Sequence, residues 1–214
     1  MSILNKEHIQ FIDNYLDNSN IIFLDIRMEM VDHVASAIES EIKAGDTRDF
    51  YYIFKDYMVK NKTILLAQNR KFTSAVDKAI GRKWIINMFS KTGLLTLVLA
   101  FTIIFLLNTY FEFVNVIKHI PLFVFIAIVV LYFIYIKKKN RRYSAIERIP
   151  FYFLATYYIT DFLIKFGIRN SSFFNESVVI TILISSLFIT LFVTLLFTAY
   201  AYKKEYDLKF NKLS

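Results

Sequence analysis

The chain has 214 residues, 56% of them hydrophobic and 18% aromatic, with a net charge of +8 and no cysteine. Without thiols, disulfides, thiolate metal sites and thiol nucleophiles are excluded, and three histidines, His8, His33 and His119, leave little for an imidazole metal site. The positive surplus does not mark a nucleic-acid binder: residues 1–91 hold 13 cations against 12 acids, and the excess lies beside apolar runs, where each Lys or Arg gains about 1 kcal/mol of attraction to anionic lipid.

Residues 1–76 are expected to form a helical head. Ser2 or Asn5 caps a first helix over about 5–17, with Ile9, Ile12 and Leu16 on one face. Asn18-Ser19-Asn20 breaks it. A second helix is predicted from about 22 to 44, stopping at Gly45, with Phe23, Ile26, Met30, Val34, Ala37 and Ile38 in one apolar arc. Arg27 and Glu41 intrude on that arc, so each snorkels or meets another helix. Asp46 has the place of an N-cap, with Asp49 as an acid in the first turn of a third helix that carries Phe50, Ile53, Phe54, Tyr57 and Met58. A further helical stretch offers Leu65, Leu66, Phe72 and Val76 to the core. Glu29, Asp32 and His33 stand at i, i+3 and i+4; Glu29 and His33 share a face and read as an acid–imidazole pair at the edge of a packed helix, with half of a metal site as the alternative. The opening 20 residues lack the apolar core of a secretory signal, which keeps the head cytosolic.

The run Glu29-Met30-Val31-Asp32-His33-Val34, followed by Ile38-Glu39, Gly45, Phe50 and Phe54, resembles the helical prefix domains that precede membrane segments in some bacterial proteins, among them permease-associated prefixes and small membrane proteins found with PadR-type regulators. The resemblance covers about residues 22–76. It implies a cytosolic helical module tied to membrane regulation or transport, and it brings no catalytic residues.

Between 77 and 91, Trp84, Ile85, Met88 and Phe89 interleave with Arg82, Lys83, Asn87 and Lys91. A basic amphipathic stretch with Trp before an apolar run is the pattern of an interfacial helix; the alternative is a cytosolic extension of the first transmembrane helix.

Residues 92–202 are dominated by Ile, Leu, Phe and Val. A hydrocarbon core of ~30 Å needs about 20 apolar residues. Four spans are expected at about 92–111, 120–136, 149–168 and 177–202, with Pro121 and Pro150 just inside the starts of the second and third. Lys137, Lys138, Lys139, Arg141 and Arg142 put five cations between spans two and three, and cationic loops stay cytoplasmic. Only Lys118, Lys165 and Arg169 among 26 cations then lie towards the outside. The fold class is therefore an all-α integral membrane protein, a cytosolic head followed by a four-helix transmembrane bundle. It is expected in the inner (cell) membrane, with both termini and the basic tail 203–214 in the cytoplasm.

Two features within the spans bear on function. Asp161 is the one acid well inside a span, and intramembrane carboxylates are functional candidates. With Tyr157 and Tyr158 a turn back it could form a ligand or ion site, although Lys165 at i+4 also suits a local ion pair. Ser186, Thr190, Thr194 and Thr198 make a stripe of hydroxyls spaced by four, suited to close helix packing. Arg82, Lys83 and Trp84, with the 137–142 cations, belong to the membrane surface. No nucleotide, hydrolase or zinc motif is present, so no enzyme activity, metal or cofactor is expected. The reading that follows is an accessory or regulatory membrane protein, with the bilayer and a protein partner or second copy as its partners. The alternative is a small transporter or receptor centred on Asp161.

Overall fold

The computed structural model describes residues 4–111, 119–137, 142–170 and 178–210, with side chains over the same stretches except at 111, 121 and 163–170. The described residues form seven helices and no strand: α1 Lys6–Asn18, α2 Leu24–Lys43, α3 Phe50–Met88, α4 Lys91–Phe111, α5 Ile120–Tyr135, α6 Ser144–Asn170 and α7 Val178–Phe210. They divide into two compact units, 1–77 with 139–144, and 78–138 with 145–214.

In the first unit the helix ends follow local chemistry. Asn5 caps α1 by accepting the His8 amide at 2.8 Å. Asn20 takes φ +67° after α1 and Gly45 takes φ +103° after α2. Each lets its own amide and the next fold back on the last turn, Asn20 N to Asp17 O and Ile21 N to Leu16 O in one case, Gly45 N to Ile42 O and Asp46 N to Glu41 O in the other. Both are Schellman closures, which only residues tolerant of left-handed backbone allow.

Ile12, Leu16, Ile26, Met30, Val34, Ile38, Phe50, Ile53, Phe54, Met58 and Leu65 are buried in one cluster. Aromatic edges tie α1 to α3, with Phe11 5.2 Å and Tyr15 5.1 Å from Phe54. Arg27 meets α1, donating from Nε to Asp13 at 2.7 Å and from Nη1 to Asp17.

Three expectations are corrected here. Asp49 is the cap of α3, accepting the Tyr51 amide at 3.0 Å, while Asp46 holds Arg48 at 2.7 Å. Arg48 also reaches Asp56 at 2.7 Å, so its fork draws Asp46 away from a capping position. The third helix and the stretch after it are one element, because nothing between Phe50 and Ile80 breaks a helix. Leu66 and Phe72 face solvent, since α3 presents Leu65 to the core instead.

In the second unit, pairwise contacts give helix directions. Ile104 of α4 packs on Ile182 of α7 near the start of α7, whereas Asn87, just before α4, reaches Thr198 near its far end; α4 and α7 are antiparallel. Phe125 lies 5.5 Å from Phe192, and the later Tyr135 carbonyl accepts from the later Lys203, so α5 and α7 are parallel. Tyr132 meets Phe153 and Phe125 meets Tyr157, which sets α6 antiparallel to α5.

The core of this unit mixes apolar side chains, among them Ile104, Tyr132, Phe153, Ile182 and Phe192, with hydroxyls, and its surface carries many large apolar side chains. Ser185, Ser186, Thr190, Thr194 and Thr198 are at most 2% exposed, while Val98, Ile103, Phe123, Ile134 and Phe151 are exposed. Among the described residues two helices, α4 and α7, are long and apolar enough to cross a membrane, with 17% of the apolar window of α4 and 44% of that of α7 buried.

Candidate functional site: the corner between α3 and α7

The segment from Lys78 to Met88 is the last part of α3, and it docks on α7. Trp84 Nε1 donates to the Leu191 carbonyl at 3.1 Å and to Thr194 Oγ1 at 3.2 Å. Asn87 Nδ2 donates to Thr198 Oγ1 at 2.9 Å. Lys83 Nζ sits 3.2 Å from Glu205 and 4.3 Å from the centre of the Tyr202 ring. At 100° per residue, Lys83, Asn87 and Trp84 fall at about 0°, 40° and 100° around α3. Their partners follow the same order along α7, from 205 and 202 through 198 to 194 and 191. Contacts spread around one helix and along the other require a steep crossing. Lys83 therefore points to the charged end of α7 and Trp84 to its apolar run.

The hydroxyl stripe makes this docking possible. Ser186, Thr190, Thr194 and Thr198 each donate to the carbonyl four residues back, at 2.7–2.8 Å. Each donor is thus used within α7, and the hydroxyl lone pairs stay available. Thr194 and Thr198 give theirs to Trp84 and Asn87. The sequence placed Asn87 on the polar side of this stretch but gave it no partner; its position three residues after Trp84, on a neighbouring face, was the available signal.

The corner into α4 is tight. Ser90 Oγ donates to the Asn87 carbonyl at 2.7 Å and accepts the Gly93 amide at 3.2 Å. A Cβ on Gly93 would lie 2.2 Å from the Met88 carbonyl oxygen and 2.5 Å from that of Asn87. Only glycine fits there.

Elsewhere the cation cluster divides. Lys137 lies 3.5 Å from Glu147. The Arg142 carbonyl accepts the Leu24 amide at 2.8 Å, and its guanidinium lies 6.0 Å from the Phe23 ring. Lys138, Lys139 and Arg141 fall outside the described residues. Beside Arg142, the Asp25 carboxylate accepts both the Ser144 amide, at 2.9 Å, and the Ser144 hydroxyl. An acid of the head thus caps the start of α6 across 119 residues of sequence.

Proline and tyrosine cooperate one turn later. Pro150 lies inside α6, which begins earlier than the span expected from residue 149. Lacking an N–H, Pro150 leaves the Ile146 carbonyl without its intrahelical donor. The Tyr132 hydroxyl, fully buried on α5, donates to that carbonyl.

The residues grouped around Asp161 are placed as follows. Tyr157 stacks on Phe125 with ring centres 4.7 Å apart and meets Tyr158 edge-on at 5.7 Å. Tyr158 is exposed, and Asp161 is half-buried beside buried Thr160. The Lys165 side chain lies outside the described part. In the head, Glu29 and His33 line a cleft of about 350 Å³ with Met30, Gln68, Lys71, Phe72 and Ala75. No group of three or more His, Cys, Asp or Glu fit for a metal ion occurs among the described residues.

No protein family, curated protein or solved structure matches the chain.

Proposed function

We propose that this is a non-enzymatic, multi-pass membrane protein that acts as an accessory or regulatory subunit, its helical head engaging a protein partner in the cytoplasm. The observation that carries the membrane reading is the number of large apolar side chains left exposed on the described part of the second unit, Leu94, Val98, Ile103, Phe123, Ile134 and Phe151 among them, around a core that also buries hydroxyls. Water would penalise that surface at about 25 cal/mol per Å², and hydrocarbon would not. Alternating helix directions support four crossings. The uncharged run from Val178 to Tyr202 is long enough for a ~30 Å core with some tilt, which supports a membrane–cytosol boundary between Thr198 and Lys203. An α3 tail crossing α7 steeply at that level, Trp84 on one side and Lys83 on the other, suits a helix lying in the interface.

Support for a partner comes from the head. Tyr52 and Val59, seven residues apart on one face of α3, are 66% and 78% exposed, and the mixed cleft around Glu29 and His33 lies on the same unit. The resemblance to permease-associated prefix domains points the same way.

A chain without cysteine is a ready background for topology mapping. Single cysteines in the head, at Lys137 or at Lys204 should resist a membrane-impermeant maleimide in sealed cells, and one at Lys118 should react. Labelling of the head from outside would sink the topology. Purification in mild detergent should bring down a stoichiometric partner or a second copy; a protein that is always solitary would refute the accessory role.

A further inference from the structure

We infer that the cleft between the α3 tail and Tyr202 is a seat for the phosphodiester headgroup of an anionic phospholipid, an inference that rests on the membrane reading above. The cleft measures about 450 Å³ and is lined by Lys78, Ala79, Arg82, Lys83, Ile86 and Tyr202, a volume within the ~300–1,000 Å³ range of small-ligand sites. Three of the six lining residues are cations and none is a carboxylate. Lys78 and Arg82 stand at i, i+4 on one face of α3, exposed at their ends. Lys83 is held by Glu205 at 3.2 Å and by the Tyr202 ring at 4.3 Å.

The remaining walls select a lipid over a free anion. Ala79, Ile86 and the Tyr202 ring are apolar surface that inorganic phosphate cannot use, and the exposed side chains of Ile85 on the same helix and of Phe89 just past its end add to it. The seat also lies at the level where α7 passes from its apolar run to Lys203, Lys204 and Glu205, so a headgroup held there has its acyl chains beside the apolar side. Arg and Lys suit such a site, Arg for its fork and Lys as a point charge.

The test uses the full chain in nanodiscs of phosphatidylcholine doped with phosphatidylglycerol, with retained lipid counted by native mass spectrometry. Wild type should retain phosphatidylglycerol in preference to phosphatidylcholine. The Lys78→Gln/Arg82→Gln variant should hold it about 25-fold more weakly, from roughly 5-fold per cation removed. The Lys204→Gln/Lys209→Gln control removes the same charge from the same end of α7 and should lose far less. Equal loss in both variants would reduce the effect to general attraction and overturn the seat, as would full retention in the first. Displacement of the lipid by inorganic phosphate alone would assign the cleft to a free anion instead. A chain that enters nanodiscs without any lipid preference defeats only this inference, whereas one that stays monodisperse without detergent and never enters them defeats the membrane reading as well.

Discussion

Tyr132 and Pro150 form the most instructive residue pair. Proline breaks one hydrogen bond of α6, and a hydroxyl from α5 replaces it inside the protein, where the Ile146 carbonyl has no water to turn to. Tyr132→Phe should lower stability by about 1–3 kcal/mol, the cost of a buried unsatisfied carbonyl. In a Pro150→Ala background the restored amide supplies the donor, so the same substitution should cost much less. Thermal midpoints of the four proteins in one detergent check the cycle; additive losses would refute it. Asp46 supports a pH prediction. The hydrogen bond from Arg48 holds its carboxyl below the ordinary value of 3.8. A carboxylate with a depressed folded-state pKa stabilises the fold above its unfolded value and loses that contribution as pH falls through the lower one. Because the Arg48 side of the pair is exposed, the effect is small. The difference in thermal midpoint between wild type and Asp46→Asn should be present at neutral pH and vanish in acid; a pH-independent difference would refute the assignment.

At the scale of elements, the corner between α3 and α4 decides how the amphipathic tail meets α7. Gly93→Ala pushes a methyl against two backbone carbonyls that cannot rotate away. The corner must open, at about 1–3 kcal/mol for overpacking, and Trp84 should leave its Leu191 and Thr194 partners. Trp84 is the chain's one tryptophan, so its emission reads this directly: a red shift with a lowered melting temperature is expected, and an unchanged spectrum would show that the corner does not control the docking. α7 shows why hydroxyls suit such an element. Self-bonded threonines are small enough for close approach, leave no donor stranded, and still accept from Trp84 and Asn87.

For the whole molecule, the alternating directions of α4, α5, α6 and α7 make a prediction about pairs. Cysteines at Ile104 and Ile182, which share one buried cluster, should cross-link through a short bifunctional reagent in membranes. Cysteines at Ile104 and Ala199, towards opposite ends of α7, should not. The reverse pattern would refute the antiparallel packing of α4 on α7.

Much of this was legible in the sequence wherever the cause is local. The all-helical character, the break at Asn18-Ser19-Asn20, the left-handed stop at Gly45, a cap at Ser2 or Asn5 and the apolar arc through Ile26, Met30, Val34 and Ile38 each depend on a few neighbouring residues and on the helix period. Apolar length likewise marked α4 and α7 as able to cross a membrane. What only the tertiary structure decided are partners far apart in the chain. Asp25 caps α6, Asn87 and Trp84 use the threonines of α7, and Tyr132 repairs the gap left by Pro150. Polar groups away from water must find a donor or acceptor wherever the fold brings one, and a periodic pattern says which face is buried but not what it will meet there.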